Sequence, residues 1–363
     1  MTGKAEIWAY VGTYTTGESQ GIYTLRFDPA SGALAHAGVR QGVTNPSFLA
    51  IEPQQRFLYA VNEIAGSDGQ PQGAVTAFAI DAETGGLTLI NEQPSHGGAP
   101  CHVSVAGGGR YVLVANYSTG SVAMFPVRDG GGLDAASDVV QHHGTGVNPE
   151  RQEAPHAHSV TVDPTGQHAL VADLGLDRVM VYRLELKHGK LVPNHVPWVE
   201  VAAGSGPRHL AFDPSGCHAY LINELNSTLT VFGYDGAAGT LTRLQTISTL
   251  PDQFAGENWC ADVHVAPSGR FVYGSNRGHD TIVILEVDPA TGILAFVGYE
   301  PTGGRTPRNF AIDPSGQFLL AANQDTSSIV TFGIDQGTGE LTPTGQIAHV
   351  PTPVCITFGS AVA

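Results

Sequence analysis

The sequence is poor in basic residues and lacks the patterns that form helices or membrane spans. Only 17 of its 363 residues are Lys or Arg, against 33 Asp or Glu, which gives a formal net charge of −16. No run of Lys or Arg interrupts this acidity, so we expect neither nucleic acid nor an anionic membrane as a partner. No apolar stretch approaches the ~18 residues of a membrane span. No long segment repeats its apolar residues with the 3.6-residue period of a helix.

Cysteine is also scarce, and none of the four cysteines belongs to a C-x-x-C pair (Cys101, Cys217, Cys260 and Cys355). The N-terminal segment has neither the basic region nor the long apolar region of a secretory signal. We therefore expect a reduced, cytoplasmic protein.

The chain is rich in Gly (46) and Pro (23), and it repeats one strand pattern seven times. Each copy alternates apolar residues and ends in an Asp/Gly-rich turn and a Leu, as a β-hairpin requires. The copies lie at 21–34, 73–87, 120–133, 177–191, 227–241, 280–294 and 327–341. Their closing leucines are 46 to 58 residues apart, a period typical of a propeller blade with several strands.

A second repeat, consisting of a strand, a D-P-x-G-type turn and another strand, lies between the copies of the first. It occurs in full at 45–63, 99–117, 154–174, 206–224, 259–277 and 306–324. A seventh copy begins at 352–358, and its missing strand is present at 7–15. The sequence therefore predicts one all-β domain over 1–363. We expect a seven-bladed β-propeller of four-stranded antiparallel blades, closed by terminal strands that share one blade. Inserts near 64–72, 134–153 and 242–258 are interpreted as loops on its faces.

The two repeats together predict where a site would form. The start of the first strand and the end of the second must lie on the same face, opposite the D-P-x-G turns. An Asn or Asp recurs at the second-strand ends (62, 116, 173, 223, 276 and 323), and its repetition indicates a structural role. Polar residues that differ between copies are better functional candidates, although each alone could be a solvated or salt-bridged rim residue. The main candidates are His158, Arg208, Glu224 and Arg277; His102, His156, His209, Arg308 and Asn309 are expected to contact substrate.

Metal and cofactor motifs are weak or missing. His156 and His158 fall on one side of a strand, and His142/His143 and Asp262/His264 are further pairs, but no H-E-x-x-H or Ca²⁺-loop pattern accompanies them. The G-x-S-x-G, G-x-x-x-x-G-K-[ST] and G-x-G-x-x-G signatures are absent too. We therefore predict no metal and no cofactor.

Five segments resemble the lactonase family of seven-bladed propellers: YVGTYT (10–15), PHAHSV (155–160), GPRHLAF (206–212), INE (222–224) and GSNRGHD (274–280). That family contains bacterial 6-phosphogluconolactonase and fungal 3-carboxy-cis,cis-muconate lactonizing enzyme. The resemblance implies a metal-independent site built from His158, Arg208, Glu224 and Arg277. Arg308 is an alternative for the second arginine, and His156 is an alternative for the histidine.

The implied activity is that of a carboxylic-ester hydrolase that opens the lactone ring of an anionic sugar lactone in the pentose phosphate pathway. Glu224 or His158 would be the general base, and Arg208 and Arg277 would bind the oxyanion and the phosphate. Two alternatives remain: a cycloisomerase that closes a muconate to a lactone, and a non-enzymatic binding propeller. We expect a monomer or a weak homo-oligomer.

Overall fold

The computed structural model describes residues 5–66 and 72–362, and these residues form β-strands and connecting turns without a helix. The predicted loop near 64–72 lies partly outside the described residues. The strands are β1 (Ile7–Thr13), β2 (Gly21–Phe27), β3 (Leu34–Gln41), β4 (Leu49–Ile51), β5 (Phe57–Asn62), β6 (Ala74–Ile80), β7 (Leu87–Pro94), β8 (Pro100–Ala106), β9 (Tyr111–Asn116), β10 (Ser121–Pro126), β11 (Asp138–Gln141), β12 (Ala157–Val162), β13 (His168–Asp173), β14 (Arg178–Glu185), β15 (Lys190–Glu200), β16 (Pro207–Phe212), β17 (His218–Asn223), β18 (Thr228–Asp235), β19 (Thr240–Ser248), β20 (Trp259–Val265), β21 (Phe271–Arg277), β22 (Thr281–Val287), β23 (Leu294–Pro301), β24 (Pro307–Ile312), β25 (Phe318–Asn323), β26 (Ser328–Ile334), β27 (Leu341–His349) and β28 (Pro353–Ala361).

These strands form seven four-stranded antiparallel sheets arranged as a ring. Six sheets use consecutive strands, namely β4–β7, β8–β11, β12–β15, β16–β19, β20–β23 and β24–β27, and the seventh has the order β28-β1-β2-β3. The innermost strand of each blade contacts the innermost strand of the next, and β28 contacts β4, which closes the ring. Tyr10 of β1 pairs with Thr357 of β28. The predicted seven-bladed propeller with a shared terminal blade is confirmed.

The hydrophobic core lies between neighbouring blades. The second strand of each blade is almost wholly buried, as in β17 (HAYLIN), because both of its faces are covered by adjacent sheets. One cluster combines Leu113 and Met124 of one blade with Val171 and Tyr182 of the next. The outermost strands have one neighbour only, and their residues are largely exposed, as in β19.

Two inserts that the sequence analysis interpreted as loops contain outermost strands, so that interpretation was wrong in part. Residues 138–141 of the 134–153 insert form β11, and residues 242–248 of the 242–258 insert belong to β19. An outer strand faces solvent and needs little apolar alternation, which is why the sequence pattern is weak there. Residues 142–156 are indeed a loop, between β11 and β12.

The repeated Asn at the second-strand ends is structural, as predicted. In four of the five copies with Asn, its side-chain amide donates to a backbone carbonyl beyond the outer strand of the preceding blade, as from Asn116 to Ser95 at 3.1 Å and from Asn276 to Thr249 at 2.8 Å. The Asn223 amide donates instead to two threonines of its own blade. Asp173 takes this position in the β12–β15 blade and accepts hydrogen bonds instead of donating them. These contacts join neighbouring blades on the face that carries the candidate site.

Candidate active site

The pairing of inner and second strands brings the main candidate residues to one face of the ring. Pro207 pairs with Asn223, so Arg208 and Glu224 are neighbours although sixteen positions apart. The D-P-x-G turns lie at the other end of the same hairpins, as at Asp213, where the backbone of Gly216 bonds back to the Asp213 carbonyl.

A recurring β-bulge directs these side chains. In six blades the inner strand shifts register near its start, so that one or two of its residues have no partner in the pairing. A bulge turns the extra residue away from the regular alternation, and bulges are common beside active sites. In five of these blades the single extra residue is Cys101, His158, Arg208, Arg308 or Val354, and in the sixth the extra residues are Ala261 and Asp262.

The carboxylate of Glu224 is the centre of the site, because three guanidinium groups converge on it. Its Oε2 accepts hydrogen bonds from Arg208 Nε at 3.0 Å and Arg277 Nη2 at 2.8 Å, and its Oε1 accepts one from Arg151 Nη2 at 2.6 Å. Burial opposes ionisation of Glu224, but the charges of Arg277 and Arg208 and the Arg151 hydrogen bond outweigh it and lower its pKa to about 2. Glu224 is therefore an anion at neutral pH.

His158 lies beside this cluster as a neutral imidazole. Its Nε2 is 3.9 Å from Glu224 Oε2, and its side chain is almost fully buried. Burial, followed by the charges of Arg208 and other cations, holds the pKa of His158 well below its ordinary value. Cys101 packs against the other nitrogen of the imidazole, with its Sγ 3.8 Å from His158 Nδ1. Burial strongly raises the pKa of the Cys101 thiol, which stays protonated.

These groups border a cavity of about 380 Å³ on the candidate face, within the ~300–1,000 Å³ typical of small-molecule sites. Its lining consists of Glu63, Cys101, Tyr117, Arg151, His158, Glu224, Trp259, Arg277 and Arg308. His158 lines this cavity and His156 does not, so the geometry favours His158 of the two histidine alternatives. Arg277 and Arg308, the two alternatives for the second arginine, both line it.

Arg308 differs from the other arginines of the site because it forms no ion pair with any carboxylate in the described part of the chain. Its guanidinium lies 5.4 Å from the centre of the Tyr14 ring, in a cation–π contact. The Tyr14 hydroxyl donates to Glu63, at 3.0 Å from Oε2. Arg308 is therefore a charged group that a bound anion could reach.

The other predicted substrate contacts form a separate group outside the cavity lining. Asp262 lies at its centre, 2.8 Å from His209 Nδ1 and 3.0 Å from His264 Nε2, and it accepts a hydrogen bond from Asn309 Nδ2. His102 stacks on Phe48 and packs against His209. Arg208 Nη1 is 3.3 Å from His209 Nε2, which links this group to the site. Substrate contact by His102, His209 and Asn309 stays a prediction.

Two of the remaining histidine candidates, His142 and His156, contact other side chains of the protein. His142 Nδ1 is 2.6 Å from Asp173 Oδ2, and its Nε2 is 2.9 Å from the Tyr182 hydroxyl. His156 stacks on Tyr117 with ring centres 4.5 Å apart. Within residues 5–66 and 72–362, no group of three or more His, Cys, Asp or Glu side chains is arranged to hold a metal ion. The same residues include no helix long and apolar enough to cross a membrane.

Arg151, which reaches Glu224 from the loop 142–156, was not predicted as a site residue from the sequence. Glu63, Cys101, Tyr117 and Trp259 were not predicted as site residues either. A repeat can predict only the residues that belong to it, and Arg151 belongs to an insert present in one blade. The one sequence signal for Arg151 as a site residue was its positive charge in a chain with few basic residues.

Comparisons with known proteins agree with this architecture. Residues 8–358 match the family described as "Lactonase, 7-bladed beta-propeller". The 6-phosphogluconolactonase of Bacillus subtilis is 39% identical over 349 residues, which cover 96% of this chain and 97% of the relative. The 6-phosphogluconolactonase of Formosa agariphila is 34% identical over 309 residues, covering 84% and 86%. The structure of the periplasmic gluconolactonase PpgL of Pseudomonas aeruginosa superposes with a TM-score of 0.93 at 38% identity, covering 98% and 99%.

Proposed function

Because the chain belongs to the lactonase family of seven-bladed β-propellers, we propose that it is a hydrolase that opens the lactone ring of 6-phosphogluconolactone, a step of the pentose phosphate pathway. The relatives from Bacillus subtilis and Formosa agariphila carry the name of this activity. The substrate would be a small anionic lactone, and no metal or cofactor is required by the proposed chemistry.

The observation that carries the proposal is the excess of cationic groups around the cavity. Arg151, Arg208, Arg277 and Arg308 are arranged around two carboxylates, Glu63 and Glu224, in a chain of net charge −16. A buried guanidinium cannot lose its proton at neutral pH, so its charge must be balanced by another group. An anionic substrate supplies that balance, and its phosphate suits the forked geometry of arginine.

His158 is the proposed general base. Both oxygens of Glu224 already accept hydrogen bonds from arginines, whereas His158 is a neutral imidazole that lines the cavity and can accept a proton. A water molecule near His158 Nε2 attacks the lactone carbonyl carbon as its proton passes to this nitrogen. The carboxylate of Glu224, 3.9 Å away, then stabilises the imidazolium. The protonated His158 returns the proton to the ring oxygen when the carbon–oxygen bond of the lactone breaks.

Arg277 and Arg208 are proposed to stabilise the oxyanion of the tetrahedral intermediate. Arg277 is held in place by Glu224 and by the carbonyls of Cys260 and Trp259, which receive three of its N–H bonds. Burial and neighbouring positive charge lower the pKa of Arg277. The developing negative charge of the oxyanion therefore reduces the repulsion among the clustered guanidinium groups.

A lactone-hydrolysis panel tests the proposal. Alkali consumption by the purified protein is followed with 6-phosphogluconolactone and glucono-δ-lactone, with and without a chelator. We expect turnover that the chelator does not reduce, and His158→Ala should lower kcat by about 10²–10⁴-fold. If His158→Ala retains full turnover while Glu224→Gln does not, the base is Glu224 instead.

Loss of ultraviolet absorbance with 3-carboxymuconate, without alkali consumption on the lactones, would instead identify a cycloisomerase. Failure of every lactone together with a stable protein partner in a pull-down would identify a binding propeller.

We also propose a cytoplasmic location, supported by four cysteines that are all free thiols. Because the Pseudomonas relative is named periplasmic, fractionation of cells that express the protein tests this point.

A further inference from the structure

Arg151 differs from the other two arginines that contact Glu224. Arg208 and Arg277 share Glu224 Oε2, and their side chains are 3% and 11% exposed. Arg151 contacts the other oxygen, Oε1, and is 35% exposed. Of the three guanidinium groups, Arg151 is thus the most exposed and the one that a ligand in the cavity can most readily displace.

The loop that carries Arg151 is closed at its base by one buried carboxylate. His142, at the start of the loop, lies 2.6 Å from Asp173 Oδ2. At its end, the backbone N–H of His156 donates to Asp173 Oδ1 at 2.8 Å, and the N–H of Leu174 donates to the His156 carbonyl. Asp173 thus fixes both ends of residues 142–156.

The interior of this loop is also built around specific side-chain contacts. Gln152 is fully buried, and its side chain accepts from the Asn148 N–H and donates to the Leu174 carbonyl. The Asn148 side-chain oxygen accepts from the backbone N–H of Arg151 at 3.2 Å. These contacts hold the Arg151 backbone in place while its guanidinium end remains accessible.

We infer that Arg151 is the residue by which this site distinguishes a phosphorylated lactone from an unphosphorylated one. This inference rests on the proposed function. A phosphate dianion offers more charge than Glu224, whose carboxylate is already shared with two other arginines, so a bound phosphate takes Arg151 from Oε1. The Tyr117 hydroxyl, 3.4 Å from Arg151 Nη2, is placed to contact the same phosphate.

The exchange also changes Glu224. When Arg151 moves to the phosphate, Oε1 becomes free to accept a hydrogen bond from a substrate hydroxyl or a water molecule. A lactone without a phosphate leaves the Arg151–Glu224 ion pair intact. Arg151 therefore contacts the phosphate of the phosphorylated substrate, and with an unphosphorylated lactone it remains a partner of Glu224.

The test compares the wild-type protein with Arg151→Ala and Arg151→Lys on two substrates. For Arg151→Ala we expect kcat/KM to fall about 10- to 100-fold with 6-phosphogluconolactone, as for loss of a charge-assisted hydrogen bond. With glucono-δ-lactone we expect a clearly smaller loss of kcat/KM, because only the Arg151–Glu224 ion pair is then removed. Arg151→Lys keeps the positive charge but lacks the forked guanidinium, so its loss of kcat/KM should be intermediate. Arg183→Ala, which removes an exposed arginine paired with Glu185, is the matched control and should change neither value.

Binding of inorganic phosphate, measured by titration calorimetry, gives a second readout that does not require turnover. We expect Arg151→Ala to bind phosphate at least about tenfold more weakly than the wild type and the control. Equal losses of kcat/KM on both lactones, or equal phosphate affinities, would overturn the inference. If the wild type hydrolyses neither lactone, the proposed function is wrong, and the phosphate titration still decides the role of Arg151.

Discussion

Replacing Glu224 by Gln should destabilise the fold by an amount that depends on pH. The pKa of Glu224 falls from an ordinary 4.5 to about 2 in the folded protein. A tenfold change in an equilibrium constant is worth about 1.4 kcal/mol, so the ionised carboxylate contributes ~3 kcal/mol to the free energy of unfolding at pH 7. Removing one member of a buried ion pair typically costs a similar amount, about 3–5 kcal/mol.

This energy can be measured as a shift of the thermal midpoint. At about 2.1 cal/mol/K per residue, the 363 residues have an unfolding entropy of roughly 0.8 kcal/mol/K. Glu224→Gln should then lower the midpoint by ~4 °C at pH 7 in scanning calorimetry. Because the pKa is lower in the folded chain, the wild-type advantage is complete above pH 4.5 and disappears as the pH falls toward 2.

Glu200→Gln is the matched control, since Glu200 is 63% exposed and pairs with Arg178 on the surface. Surface ion pairs are worth about 0–1 kcal/mol, so its midpoint should move by no more than ~1 °C. A Glu224→Gln midpoint equal to that of the wild type at pH 7 would refute the reasoning. So would a difference that persists unchanged at pH 2.5, since the wild-type carboxyl should then be losing its charge.

Three further predictions concern pH, the loop and the thiols. Since the pKa of His158 is held well below 6.5, the pH–rate profile of lactone hydrolysis should stay level from pH 8 to 6 and fall only under more acidic conditions; an acid limb at pH 6.5 would contradict this assignment. Asp173→Asn should loosen the base of the Arg151 loop and raise KM for the phosphorylated lactone about 3- to 10-fold, measured by steady-state kinetics beside circular dichroism. Iodoacetamide should modify the exposed Cys217 alone and leave turnover unchanged, as mass mapping of treated protein can check.

The ring and the face of the site could be predicted because both depend on the repeat. Once the hairpins at 206–224 were aligned with their counterparts, antiparallel pairing alone required Arg208 and Glu224 to be neighbours, and they lie in contact at 3.0 Å. The recurring bulge was not predictable, because register shifts leave no clear mark in a short strand. It directs His158 and Arg308 into the cavity, while Asn309, one residue later, contacts Asp262 instead.

The charge balance of the site could not be predicted from the sequence either. Arg151 reaches Glu224 only because Asp173 fixes the ends of its loop, and this depends on contacts between two blades. The sequence analysis assigned Arg208 and Arg277 to the substrate, but both use part of their guanidinium groups to hold Glu224. Arg308, which has no carboxylate partner within the described residues, is more available to an anion. Only interatomic distances distinguish an arginine that is held by a carboxylate from one that is available to a ligand.

The pairing of β28 with β1 has a consequence for synthesis. β28 is separated from β1–β3 by the other six blades, so these three strands must wait for the synthesis of all six before their sheet is complete. Until then β1 presents an unpaired edge, of the kind that recruits strands from other molecules. The nascent chain is therefore most prone to aggregate until β28 has been made, and chaperone contacts should concentrate in that interval.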